Sequence, residues 1–146
     1  MRISIGSDHG GLNLKEKIKE TFKDIEFVDR GTYSFDSCDY PIFAKQVAED
    51  VRDAKVDFGI LVCTNGVGMS ITANKIKGVR AALCLSTDMA MHARRHNGAN
   101  VLCLGEINQP MDEALKIVKE FITTPMADEE RHLRRINLIK EIEEER

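Results

Sequence analysis

The stretch Leu61-Val62-Cys63-Thr64-Asn65-Gly66-Val67-Gly68-Met69-Ser70-Ile71-Thr72-Ala73-Asn74-Lys75 passes from an apolar strand through a glycine turn into a helical pattern. Gly66 and Gly68 let the backbone take positive φ, so successive N–H groups can point into one concavity at a helix start. Such a turn favours negative charge. Cys63 stands on its rim, where the positive end of the helix dipole favours the thiolate, a base as well as a nucleophile. A lone cysteine beside glycines is more often an inert strand-end residue. The surrounding chain decides between the two readings.

Upstream, residues 2–7 alternate as a short strand, and Leu14, Ile18 and Phe22 follow with helical spacing. Residues 25–28 form a second apolar run closed by Asp29-Arg30-Gly31, and residues 32–39 are polar and irregular, as a loop is. Pro41 suits the first turn of a helix that carries Phe43, Val47 and Val51 inward. Residues 56–63 are the most continuous apolar run, which fits a central strand covered on both faces.

Downstream, the pattern predicts a helix over 67–76, a strand over 79–84, and a helix capped at Thr87-Asp88 and ending near His96. A fifth strand spans 100–104. Pro110 then opens a helix with Met111, Leu115, Val118, Phe121 and Ile122 on one side, broken by Thr123-Thr124-Pro125. Residues 128–146 read as a last helix. Strands alternating with helices imply an α/β fold: a Rossmann-like three-layer α/β/α arrangement with a five-stranded parallel sheet, an extended C-terminal helix and a single domain over 1–146.

Ligands of such sheets bind at the carboxyl ends of the strands, where strand order reverses. Asp8 and His9 follow the first strand, Cys63 and Asn65 the third, residues 86–88 the fourth and Glu106 the fifth. One rim therefore gathers the unusual side chains.

Composition narrows the partners. The 146 residues carry a net charge of -3, which offers no basic field to nucleic acid. No apolar run approaches a membrane span, so no membrane partner is expected. Cys38, Cys63, Cys84 and Cys103 form no C-x-x-C pair, which fits a reducing, cytoplasmic setting.

Other anion-binding motifs fail on particular residues. The 6–11 segment lacks the second glycine of a dinucleotide fingerprint, and the Gly66 turn has Ile71 where the third would stand. A small tyrosine phosphatase places an arginine six residues after its cysteine, where this chain has Met69. A receiver domain needs an aspartate at Cys63. His92 and His96 lie one helical turn apart, but Ala93 replaces the glutamate of H-E-x-x-H and no third ligand is evident, so no metal is expected. Arg131 and Arg135 share a helix face and could clamp a phosphate, although a solvated, salt-bridged surface has the same pattern. Leu133, Ile136, Ile139 and Ile142 give that helix an apolar side that must pack somewhere, a partner subunit being one candidate.

The chain resembles ribose-5-phosphate isomerase type B and the related galactose-6-phosphate isomerase subunits from end to end. The resemblance rests on Gly6-Ser7-Asp8-His9-Gly10-Gly11, Asp29-Arg30-Gly31-Thr32, Asp39-Tyr40-Pro41, and Cys63 with Gly66-Val67-Gly68-Met69-Ser70-Ile71 and Ala73-Asn74-Lys75. It continues through Gly78-Val79-Arg80-Ala81, His96-Asn97, Ala99-Asn100-Val101-Leu102, and Arg131-His132 with Arg135. It implies a cytoplasmic aldose-ketose isomerase of a phosphorylated sugar, placed in pentose phosphate metabolism and working without metal or organic cofactor.

By the same resemblance Cys63 is the base that moves a proton between C2 and C1 of the open sugar, and backbone donors from Gly66, Val67, Gly68 and Ser70 hold the enediolate oxygen. His96 opens the ring and Asp8 contacts ring and hydroxyl groups. His9, Arg131 and Arg135 match phosphate positions, while Tyr40 and Asn97 line the sugar site. Relatives share sites between subunits, so a homodimer or dimer of dimers is expected.

Three positions depart from the family pattern. Thr64-Asn65 stand where relatives using this base usually read Gly-Thr, so Asn65 occupies the place of a proton-relaying hydroxyl. Ile107 stands where many relatives carry an arginine near the phosphate, and Glu129-Glu130 replace a glycine pair. The resemblance makes ribose 5-phosphate the first substrate expected, and the departures bear on the substrate more than on the reaction type. Another pentose, tetrose or hexose phosphate, or a non-catalytic phosphosugar-binding role, is the alternative.

Overall fold

Ile3 and Ile5 turn to one face of the first strand while Ser4 and Gly6 turn to the other, and the computed structural model, which describes residues 1–145, is built outward from that strand. The chain runs β1 (Arg2–Ser7), a 3-10 turn (His9–Gly11), α1 (Leu12–Thr21), β2 (Glu26–Asp29), α2 (Tyr40–Arg52) and β3 (Phe58–Cys63). It continues through α3 (Val67–Ala73), β4 (Ala81–Leu83), α4 (Thr87–Asn97), β5 (Val101–Gly105), α5 (Met111–Thr123) and α6 (Glu130–Glu144).

All five strands are parallel, in the order β2-β1-β3-β5-β4. The three-layer fold is the expected one. From β1 the chain moves out to β2 and then returns past β1 to β3, so strand order reverses between β1 and β3. That crevice is where an open α/β sheet binds its ligand.

Two cores sandwich the sheet. Ile60 and Val62 of β3 face Leu14, Ile18, Ile117, Val118 and Phe121 of α1 and α5, while Leu61 and Cys63 face Ala44 and Val47 of α2 and Met69 and Ala73 of α3. Burial on both faces accounts for the unbroken apolar run of this strand.

Several boundaries differ from those the sequence predicts. The third strand begins at Phe58 because Asp57 is tied to β1, its N–H donating to the Arg2 carbonyl and its carboxylate accepting the Arg2 N–H. Ser86, not Thr87-Asp88, caps α4, its hydroxyl accepting the Met89 N–H at 3.1 Å. The buried stripe of α5 is Ala114, Ile117, Val118 and Phe121, and Met111 lies exposed. The last helix begins at Glu130 rather than residue 128, and its predicted end at Arg146 lies outside the described residues.

A buried cation braces the β1 side. Lys15 is 0% exposed, and its ammonium donates to both carboxylate oxygens of Asp29 (2.7 and 2.9 Å) and to the Thr32 carbonyl (2.7 Å). The segment it holds pairs with β1 in turn: Ser7 N–H reaches the Gly31 carbonyl and Thr32 N–H the Ser7 carbonyl, each at 2.7 Å. Burial alone would push the Asp29 carboxyl up, but hydrogen bonds from Lys15, Lys19 and the Gly31 N–H outweigh it and hold its pKa below the ordinary value.

Candidate active site

Cys63 ends β3 with only 5% of its surface exposed. After it the chain must turn sharply into α3, and Gly66 makes that turn at φ +83°, a conformation that L side chains rarely adopt. The turn aims the Gly66 N–H back at the sulfur, 3.1 Å away, a donor suited to the anionic form a proton acceptor passes through. Asn65 turns its side chain onto the Val67 N–H at 3.1 Å.

These bonds redistribute the expected oxyanion donors. The Gly66 N–H is taken by Cys63, the Val67 N–H by Asn65, and the Ser70 N–H by the Gly66 carbonyl at 3.1 Å. Among the described residues the amides of Gly68 and Met69 have no such acceptor. They are the donors this turn leaves open at the start of α3.

The cleft of about 390 Å³ around the thiol is lined by Asp8, Tyr40, Cys63, Thr64, Asn65, Val67, Gly68 and Ile71. Asp8 follows β1, where its carboxylate accepts the Gly10 N–H at 2.9 Å. The Tyr40 ring lies on Gly68, where a Cβ would stand 2.5 Å from the ring. Only glycine admits the tyrosine there. His9 is half-buried, its Nδ1 accepting the Cys38 N–H at 3.3 Å. Thr64 and Ile71 join the lining although no chemical motif singles them out.

The other expected residues lie elsewhere. His96 and Asn97 end α4, and Arg131 and Arg135 lie on α6. None lines the Cys63 cleft. The reason is topological. A helix between parallel strands runs back along the sheet, so α4 starts beside the carboxyl ends and finishes at the amino ends. There Asn100 gives its carbonyl to Gly59, four residues before Cys63. At about 3.3 Å per residue, β3 alone separates the two ends by roughly 13 Å.

At that lower end three imidazoles stack. His96 lies 5.0 Å from His92 and 4.3 Å from His132, with interplanar angles of 26° and 15°. Partial desolvation in this stack, helped by the positive charge His132, His92 and Arg95 can present and opposed by Glu129, lowers the His96 pKa from its ordinary value. Arg131 pairs with Glu129 at 2.7 Å, and Arg135 is exposed. Below the stack α6 seats Ile136 against Gly98, and the Gly78 N–H donates to Glu143 at 3.1 Å, so one side of this helix packs on its own chain. Leu133, Leu138, Ile139 and Ile142 remain exposed. Among the described residues, no helix is long and apolar enough to cross a membrane.

Known proteins share both sequence and fold. A family model described as Ribose/Galactose Isomerase matches residues 3–139. Ribose-5-phosphate isomerase B of Escherichia coli is 39% identical over 147 aligned positions, which cover 99% of this chain and 98% of that protein. The structure of the Clostridium thermocellum ribose-5-phosphate isomerase B superposes with a TM-score of 0.96 at 45% identity, covering 99% of each chain. That of the Mycoplasma genitalium ribose-5-phosphate isomerase B, with ribulose 5-phosphate bound, gives 0.92 at 44% identity, covering 99% of this chain and 97% of the other. With a match running through both the Cys63 cleft and the His96 stack, this chain belongs to the ribose/galactose isomerase family.

Proposed function

We propose that this chain, as one unit over residues 1–146, interconverts an aldose phosphate and its ketose, with ribose 5-phosphate and ribulose 5-phosphate as the first pair. The observation that carries the reading is the Cys63 sulfur, set at the base of a cleft under the Gly66 N–H with open amides beside it.

In this reading the Cys63 thiolate removes the proton from C2 of the open aldose and returns it to C1, while the O2 hydroxyl proton passes to O1 within the enediolate, so that C2 ends as the carbonyl and C1 as the alcohol. The electron pair rests meanwhile on the enediolate, whose oxygen takes the Gly68 and Met69 amides. One such donor is worth about 3 to 4 kcal/mol in the transition state of other enzymes. Asp8 and Tyr40 hold the sugar. Asn65 can fix a hydroxyl by hydrogen bonds but cannot relay a proton as a hydroxyl does.

His96, Asn97, Arg131 and Arg135 serve a site completed by a second copy of the chain, in a homodimer or dimer of dimers. Their place at the sheet end opposite Cys63 supports this, as do the exposed apolar residues of α6. His96 opens the ring there, a task suited to imidazole, and the two arginines with His9 hold the phosphate. No metal or organic cofactor enters this reading. The setting is cytoplasmic pentose phosphate metabolism.

Proton NMR in deuterated water, run on pentose, tetrose and hexose phosphates, tests substrate and chemistry together. Deuterium incorporation at C1 or C2 with ribose 5-phosphate is the expected result. Saturable phosphosugar binding without exchange would instead establish a binding protein.

A further inference from the structure

We propose that Glu106 is a positioning residue that fixes the distance between the Cys63 loop and the Asp8 turn. The proposal rests on the reading of Cys63 and Asp8 given above.

Glu106 is the first residue after β5, and both its ends are engaged. Its N–H donates to the Cys63 carbonyl at 2.9 Å. The next two residues extend the same tie, Ile107 N–H to the Thr64 carbonyl at 3.2 Å and the Asn108 side-chain amide to the Asn65 carbonyl at 2.9 Å. Three successive carbonyls, beginning with that of the proposed base itself, are thus held by three successive residues after β5.

The Glu106 carboxylate points the other way, accepting the Leu14 N–H at 2.7 Å. Leu14 lies in the first turn of α1, which has neither a capping side chain nor an acidic residue of its own there. The cap comes from 92 residues away. That helix start is continuous with the 3-10 turn whose Gly10 N–H seats the Asp8 carboxylate. Backbone on one side and carboxylate on the other, Glu106 ties together the two stretches proposed to meet the substrate.

Reach and charge make opposite demands, which gives a test. If Glu106 matters only as an anion at a helix N-terminus, Asp should replace it better than Gln. If it sets a distance, Gln should replace it and Asp, one methylene shorter, should not. We expect Glu106→Ala and Glu106→Asp to lower kcat by about tenfold or more with KM within about threefold, since misplacement of about 1 Å can cost 10²-fold in rate. Glu106→Gln should stay within about threefold of the wild type.

Alkylation of Cys63 by iodoacetamide, followed by mass spectrometry of its peptide, supplies a readout independent of turnover. Glu106→Ala and Glu106→Asp should change its rate and Glu106→Gln should not. Equal alkylation rates in all four proteins would overturn the proposal. So would wild-type kcat in the Asp variant, or a lowered Tm with unchanged kinetics. A wild-type protein that isomerises no sugar phosphate counts against the proposed function, and the alkylation series still decides Glu106. Should Glu106→Ala fail to fold, the Asp and Gln pair carries the comparison.

Discussion

The Cys63 cleft and the His96 stack are built in opposite ways. Around Cys63 the hydrogen bonds of the loop all engage backbone on at least one side: the Gly66 amide on the sulfur, the Asn65 side chain on the Val67 amide, the Glu106 and Ile107 amides on the loop, and the strand pairing of β1 with residues 31–32. Around His96 the contacts are side chain on side chain at the ends of two helices, three stacked rings and an Arg131–Glu129 pair open to solvent. One region is fixed by the sheet. The other depends on what packs over α4 and α6. In the proposed function the base is thus held rigidly, and the proposed ring-opening and phosphate groups are left for a partner to bring in.

The strongest way to break this contrast is Cys63→Ala. Loss of the proton acceptor should cut kcat by about 10³-fold or more, read as deuterium exchange at C2, with Tm little changed because the substitution removes one small atom. A variant retaining near-normal turnover would remove Cys63 as the base.

Mixing Cys63→Ala with His96→Asn after joint unfolding and refolding sharpens the contrast further. If each site joins the cleft of one copy to the stack of another, the mixture should regain about a quarter of wild-type activity, because half the dimers carry one intact site of two. Two inactive proteins that stay inactive together would mean that each copy is self-sufficient.

Stability separates the regions next. Lys15→Met should cost about 2 kcal/mol or more in denaturant unfolding, since it strips a buried partner from Asp29. Arg135→Ala, on the exposed face of α6, should leave the midpoint within about 0.5 kcal/mol and raise KM instead. Because the folded Asp29 pKa lies below the unfolded value of about 3.9, its contribution is present above that pH and is lost as pH falls through the folded pKa.

The smallest effect concerns the stack. With its folded pKa lowered, His96 takes up its proton less readily than in the unfolded chain, so stability declines as pH falls from about 6.5 towards the folded value. Replacing His132 by Gln removes a like charge and a ring face, and the His96 pKa should rise in an NMR titration. An unchanged titration would mean that the stack does not tune this histidine.

Much of this was legible in the chain. The 61–75 stretch reports strand, turn and helix because its apolar run and its glycines are local signals, and parallel order follows from alternation. Asp8, His9, Cys63 and Asn65 could be placed at one rim by counting strands, and Tyr40 only through the family resemblance. What stayed hidden depends on distance in sequence. Lys15 reads as a surface lysine until Asp29 and Thr32 close over it, and Glu106 reads as a loop acid until α1 is seen to lack a cap. Residue order also hides that His96, at a helix end, and Cys63, at a strand end, fall at opposite ends of the sheet.

The buried Lys15 carries a consequence for chemical footprinting. Its amine has no exposed surface and donates to Asp29 and Thr32, so acylating reagents that label surface lysines should pass it by while the fold is intact. The moment the Asp29–Thr32 segment peels away from β1, that amine becomes reactive. Label recovered at this one position thus clocks local opening beneath Asp8, a reporter already built into the polypeptide.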